Sequence, residues 1–228
     1  MRIEDCNWMD VENYLKNDDR IMLILGATEQ HGYLSLASDT RIPTAIADAA
    51  SQRSGVLVAP ALAFGISPYF TSYPGTVTIR VSVYVEFIKD IIRSLYGQGF
   101  RRFLAVNGHG GNTPASGALY ELANDLEGSQ MAWYSWWTTD SMKKIAETHN
   151  LPTYHANWME AFKFTRVADL PDDTKTPVEI KGINNARVER ELLGDGVFGG
   201  PYLADDAVMD EILAAAITDV LETLKFDK

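Results

Sequence analysis

The amino-acid sequence predicts an α/β fold of three layers (α/β/α), in which a mostly parallel central sheet carries helices on both faces. Short apolar or β-branched runs alternate along the chain with longer segments of helical period. Two histidine motifs, TEQHG and NGHGGN, each follow such a run, which is where an open parallel sheet binds its ligands. With 228 residues, 46% of them hydrophobic, the chain can fill one large core, and residues 1–228 are expected to form a single domain.

The elements follow in order. IMLIL (21–25) reads as a buried strand, and the segment RIPTAIADAASQRSG after it as a helix. VLVAPAL (56–62) reads as a second strand. Residues 81–96 carry Val81, Tyr84, Val85, Ile88, Ile92 and Leu95 on one helical face. FLAVNG (103–108) is a strand again, and Pro114 suits the first position of a helix starting near Thr113. QMAWYSWW (130–137) reads as another buried strand. A last helix opens at Asp205 and Asp206 and buries Val208, Ile212, Ala216, Val220 and Leu224. No internal repeat or low-complexity linker interrupts this pattern.

Composition excludes several functions. Lys and Arg number 20 and Asp and Glu 31, a formal net charge of −11. Such a surface repels phosphate backbones, and no basic cluster relieves it, so nucleic acid is not an expected partner. Cys6 is the only cysteine, which excludes an internal disulfide and a thiolate-rich zinc site. No stretch approaches the roughly 20 apolar residues of a membrane span, and MRIEDCNWMD is too acidic for a signal peptide. The expectation is a cytoplasmic protein without a membrane partner.

The chemistry concentrates in three segments. Glu29 and His31 lie two apart, on one side of an extended segment, and Asp39 can return to them if residues 32–38 form a compact loop. Taken alone, this pattern fits a polar surface loop equally well. In NGHGGN, glycines around His109 allow close backbone approach to a ligand, and Asn107 and Asn112 can fix the loop. HANWMEAF brings His155 and Glu160, the latter among apolar neighbours that make an unpaired carboxylate costly. His149 reads as a helix-end residue and is set aside. Glu29, His31, Asp39, His109 and Glu160 together form a mixed carboxylate and imidazole set suited to Zn²⁺, Mn²⁺ or Fe²⁺. Five ligands exceed the three of one catalytic zinc; with one carboxylate shared, they serve two ions.

These segments resemble the creatininase (creatinine amidohydrolase) family. GATEQHGYLSLASDT is similar to the family pattern Gly-Ser-x-Glu-Gln-His-Gly-x-His-Leu-Pro-Leu-x-x-Asp, NGHGGN to its second motif, and HANWMEA to its third, His-Ala-Gly-x-x-Glu-Thr. FGISPYFTSYPGT (64–76) and GVFGGP (196–201) resemble two further segments, and all five occur in the family's order. The resemblance implies a three-layer fold, two divalent ions per chain and a homo-oligomer, often a hexamer. It implies that Asp39 bridges the ions, with Glu29 and His109 on one and His31 and Glu160 on the other. A glutamate of the second motif that serves as a ligand in the creatininase itself is Gly111 here. Leu34 replaces a histidine, Tyr69 and Phe70 stand where many members have Glu-His, and Asn157 and Ala161 alter the third motif. These departures change the pocket and leave the substrate open.

The implied activity is metal-dependent hydrolysis of the C–N bond of a small cyclic amide. His155 is expected to protonate the leaving nitrogen, or else to orient a metal ligand. Tyr69, Phe70, Tyr73, Trp136, Trp137 and Trp158 are candidate walls for a flat substrate, although core packing accounts for such residues as readily. Other branches of the family suggest a deformylase of a ribosylaminopyrimidine nucleotide, for which Arg41 and Arg80 are scattered phosphate candidates, or cleavage of a peptide during cofactor maturation. A non-catalytic metal-binding assembly protein is the rival of another class.

Overall fold

The computed structural model describes residues 1–227. Strand β1 (Arg20–Leu25) buries every residue but its first, so it has no solvent face and must be covered on both sides. The cover is divided by the period of the strand. Met22 and Ile24 point into one core, together with Leu104, Val106 and Tyr134. Ile21, Leu23 and Leu25 point into the other, with Phe103 and Ala105. Two cores on opposite faces of one sheet make three layers.

Helices fill both outer layers. Before β1 comes α1 (Trp8–Tyr14), capped at both hydrogen-bonding positions by Asn7 and Asp10. After it come α2 (Ser38–Ser54), β2 (Leu57–Val58), α3 (Val81–Gln98), β3 (Arg102–Asn107), α4 (Pro114–Asp125), β4 (Gln130–Ser135) and α5 (Asp140–Thr148). The chain ends with a small hairpin of β5 (Thr174–Lys175) and β6 (Gly200–Pro201), interrupted by α6 (Ala186–Leu193), and then α7 (Asp206–Thr223). Helices α2, α5 and α7 contribute Ile42, Ile46, Ile145, Ile212 and Val220 to the first core. Helices α3 and α4 contribute Tyr84, Ile88, Ile92, Leu119 and Leu122 to the second.

The four main strands are parallel, in the order β2-β1-β3-β4. The chain therefore leaves β1 in one direction to reach β2, and returns past it to place β3 on the other side. A crevice opens at that reversal, beyond the carboxyl ends of β1 and β3. The TEQHG and NGHGGN motifs emerge there.

Three expected elements differ. The second strand is only Leu57–Val58, with one further bridge from Leu62 to Leu25, because Pro60 has no N–H to give to a ladder. The fourth stops at Ser135, and Trp136–Thr138 forms a 3-10 turn. Val81, at the first position of α3, is exposed, whereas Tyr84, Ile88 and Ile92 below it are buried. The final helix starts at Asp206 after Asp205 and buries the expected stripe, ending on Leu224. No described helix is long and apolar enough to cross a membrane.

Candidate metal centre

The segment after β1 turns compactly, with Leu34 N–H donating to the His31 carbonyl and Ser38 N–H to that of Ser35. This return places Asp39 in the first turn of α2, where the positive end of a 17-residue helix favours a carboxylate. After β3, His109 N–H donates to Asn107 Oδ1, and the Asn107 amide donates back to the His109 carbonyl. Asn112 ties the same loop to β1 by donating to the Gly26 carbonyl. Its Oδ1 accepts from Ile66 N–H. Gly108 has no room for a side chain, because a Cβ there would lie 2.0 Å from the Asp39 carbonyl oxygen. Close approach of these two loops thus depends on a glycine.

Asp39 divides its two oxygens. Oδ1 lies 3.0 Å from His31 Nε2, and Oδ2 lies 2.9 Å from His109 Nδ1. Glu160 Oε1 is 3.6 Å from His31 Nε2, and Glu29 Oε2 is 3.6 Å from His109 Nε2. Three groups have ligand atoms within 4.8 Å of one another: Glu29–His31–His155, in which His155 is half-buried, and a fully buried pair, Glu29–Asp39–His109 and His31–Asp39–Glu160. Asp39 belongs to both.

The outer contacts hold the imidazoles in place. His31 Nδ1 donates to the Glu29 carbonyl at 3.0 Å, which leaves Nε2 facing the carboxylates. His109 Nε2 faces the Ile66 carbonyl at 2.9 Å and Ser67 Oγ at 3.2 Å, which leaves Nδ1 for Asp39. Glu160 Oε2 accepts from Ala156 N–H at 2.6 Å. Ala156 takes a left-handed φ of 61°, a strained conformation for a residue with a Cβ, and thereby turns its amide toward Glu160.

Electrostatics match a cation site. Burial pushes the Glu29 carboxyl up to about 7, against the pull of His109. Burial would raise Asp39 also, yet the His31 and His109 charges overcome it and hold that carboxyl well below its usual range. Glu160 is lowered as well, His31 outweighing burial. Burial disfavours imidazolium at His109 and His31, but Asp39 raises the first to about 9 and the second well above its ordinary value. Glu29 Oε2 is buried without a hydrogen-bond partner among the described residues. Three buried carboxylates and two imidazoles, with Asp39 Oδ2 as well as Glu29 Oε2 lacking a hydrogen bond among the described residues, fit a pair of divalent cations.

His155 stands at the edge of this cluster. Its ring stacks on Phe70 at a centroid distance of 5.0 Å and meets Phe198 edge-on at 5.3 Å. Nε2 lies 3.1 Å from the Gln30 side-chain amide, 3.2 Å from the Gln30 carbonyl and 3.8 Å from Glu29 Oε1. Burial, and then the charge of His31, lower this imidazole to about 4.

A cavity of about 530 Å³ opens over Glu29, Asp39, His109, His155 and Glu160, and Tyr69, Phe70, Trp137 and Phe198 wall it. Among the aromatic candidates, Trp136 and Trp158 do not reach it. Both are buried in the core, where Trp158 donates its indole N–H to the Pro152 carbonyl and Trp136 packs edge-on against Phe162. Tyr73 also lies outside the lining, its hydroxyl donating to the Gly194 carbonyl. His149 caps the end of α5 and pairs with Glu211. Sequence reasoning did not find Gln30, Ser67, Phe198 or Glu189. Gln30, Ser67 and Phe198 lie within TEQHG, FGISPYFTSYPGT and GVFGGP, and Glu189 shares a helical face with buried Leu193.

The sequence profile of the creatininase (creatinine amidohydrolase) family matches residues 4–224. The chain belongs to the creatininase family. It is a hydrolase of the amidohydrolase kind. Among its relatives is a mycofactocin precursor peptide peptidase of Mycolicibacterium smegmatis, 27% identical over 90% of this chain and 84% of that one. The creatinine amidohydrolase of Pseudomonas putida is 31% identical over 47% of this chain and 44% of its own length. A 3-dehydro-scyllo-inosose hydrolase of Thermotoga maritima is 29% identical over 50% of this chain and 37% of its own. Solved creatininases share the fold: a manganese form superposes with a TM-score of 0.77 at 23% identity, covering 98% of this chain and 97% of that one. A zinc–zinc form of a creatininase mutant gives the same TM-score at 22% identity.

Proposed function

We propose that this creatininase-family chain is a two-metal amidohydrolase that cleaves the C–N bond of a small amide, with cyclic amides as the first class to test. The observation that carries this reading is Asp39, whose two oxygens serve two complete three-ligand groups. Glu29 and His109 would hold one ion and His31 and Glu160 the other. Bound there, the ions would supply acidified water and polarisation of the amide carbonyl. His155 handles the proton. Burial holds it below the ordinary imidazole range, so it would take a proton from the attacking water and return it to the departing nitrogen. Its Nε2 suits both states, since Gln30 offers a carbonyl to the protonated nitrogen and an amide N–H to the bare one. Tyr69, Phe70, Trp137 and Phe198 would flank the substrate.

A peptide amide is the second reading, supported by the near full-length similarity to the mycofactocin precursor peptide peptidase. The nucleotide deformylase reading lacks support: among the described residues no Lys or Arg lines the cavity, and Arg41 and Arg80 are exposed elsewhere. We further take the chain to act as a homo-oligomer, the hexamer that the family resemblance implies. Exposed Trp8 and Phe87 on a groove between α1 and α3 support subunit contact.

The test is turnover of lactams, formamides and short peptides by protein loaded with Mn²⁺, Zn²⁺ or Fe²⁺, with metal content measured in parallel. Close to two ions per chain and metal-dependent release of one class are expected, and Asp39→Ala should empty both positions. Full occupancy by one ion would overturn the dinuclear reading. Full occupancy by two without turnover of any class would favour the metal-binding assembly protein.

A further inference from the structure

One charged side chain of the cavity wall takes no part in the metal centre. Glu189 lies on α6, a short helix whose N-cap Asn185 accepts from the backbone of Arg187 and Val188. Its neighbours Arg187, Arg190 and Glu191 are exposed, whereas Glu189 is 6% exposed. It lines the same cavity as Glu29, Asp39 and Glu160. No hydrogen bond or ion pair to its carboxylate occurs among the described residues. The nearby cation, Arg190, is otherwise engaged: its guanidinium donates to the Ser72 carbonyl and sits over the Tyr73 ring. The residue is buried but its oxygens are not sealed in the protein, so the carboxylate reaches the cavity, where a cation is the ligand that its charge favours.

The rest of the wall fits a cation too. No Lys or Arg lines the cavity among the described residues, while Tyr69, Phe70, Trp137 and Phe198 present aromatic surface. With two divalent ions held by Glu29, Asp39, His31, His109 and Glu160, the inner end becomes positive. Glu189 then makes the remaining wall negative. A substrate that spans the cavity would set its carbonyl oxygen inward and a positive group outward.

We propose that Glu189 is a specificity-determining residue that selects substrates carrying a protonated amine, amidinium or guanidinium apart from the scissile bond. The inference rests on the reading of the cavity as a metal-dependent amidohydrolase site. Overall charge favours the same class, because a chain of net charge −11 draws small cations toward it.

The experiment is a binding comparison that needs no turnover. Benzamidine and benzamide have nearly the same shape and differ by one charge. Metal-loaded wild-type protein should bind benzamidine more tightly by roughly 10-fold to 100-fold, the range of a charge-assisted hydrogen bond. Glu189→Gln, with its metal content and thermal midpoint verified, should bring that ratio close to one. Glu189→Asp should restore part of the preference, which a loss of fold would not do. Equal affinities in the wild type, or a ratio that Glu189→Gln leaves unchanged, would overturn the proposal. The metal centre is judged separately by the ion count. Protein that takes up no metal and still prefers benzamidine through Glu189 would refute the two-metal reading and leave the cation site standing.

Discussion

His31 and His109 would make metal binding at the proposed centre a competition with protons. Burial works against a charged imidazole, but Asp39 lies 3.0 and 2.9 Å away and raises His109 to about 9 and His31 well above its ordinary value. In the metal-free protein both rings therefore carry a proton at neutral pH on the nitrogen that a metal needs. A raised pKa means that the proton is held until the pH passes it, so metal affinity should climb as pH rises toward about 9 and fall in acid. Glu29, raised to about 7, adds to the effect. Calorimetric titration with Zn²⁺ in buffers of different ionisation enthalpy should show at least one proton released per chain at pH 7. Uptake without proton release would mean that these imidazoles are not ligands. His155 differs in kind, being lowered rather than raised. His155→Ala should keep both ions and lose roughly 10² to 10⁴ in kcat, the usual share of acid–base catalysis. Loss of metal instead would give His155 the ligand role assigned to Glu160.

The turns after β1 and β3 explain which parts of this arrangement were legible in the sequence. Apolar period located the strands and helices, since each of those segments buries one face or both, and histidines and carboxylates beside strand ends gave the five ligand candidates, which the fold brings together. Period does not reveal which of two adjacent tryptophans faces a cavity. Trp136 begins a 3-10 turn and points into the core, and Trp137, one residue on, borders the site. Trp158 likewise turns into the core, where its indole N–H donates to the Pro152 carbonyl. Glu189 stayed hidden because a carboxylate on a short polar helix reads as solvated until its burial is seen. Glycine content was more informative, and it yields a contrast. A Cβ at Gly108 would strike the rigid backbone of Asp39, whereas one at Gly117 in α4 would meet nothing within 4 Å. Gly108→Ala should therefore force β3 away from α2, lowering stability by about 1–3 kcal/mol and weakening metal uptake. Gly117→Ala should raise stability by about 0.5–1 kcal/mol, because alanine favours an exposed helix interior. Denaturant midpoints of the two variants check both signs, and a neutral Gly108→Ala would show that the two loops can part without cost.

At the scale of the whole molecule, apolar surface and net charge oppose each other. Trp8 is 71% exposed and Phe87 45%, and both border an apolar groove of about 980 Å³ between α1 and α3. Such surface favours contact with another chain. Each chain also carries a formal charge of −11, so bringing copies together accumulates like charge. Bound divalent ions would cancel part of it, and added salt screens the remainder, with a Debye length near 10 Å at about 0.1 M. An oligomer built on apolar contacts should therefore tighten with salt and with metal. Sedimentation of the metal-loaded protein at micromolar concentration should give a mass several times the 25.3 kDa of one chain. Dilution should dissociate it more readily at low ionic strength than at high. Dissociation on adding salt would instead assign the interface to ion pairs. A monomer under every condition would remove the oligomer from the proposal and leave Trp8 and Phe87 as unpaired surface. Trp8→Ser separates these cases further: it should weaken assembly without changing metal content, because α1 lies on the side of the sheet that carries α3 and α4, beyond the reach of the five ligands.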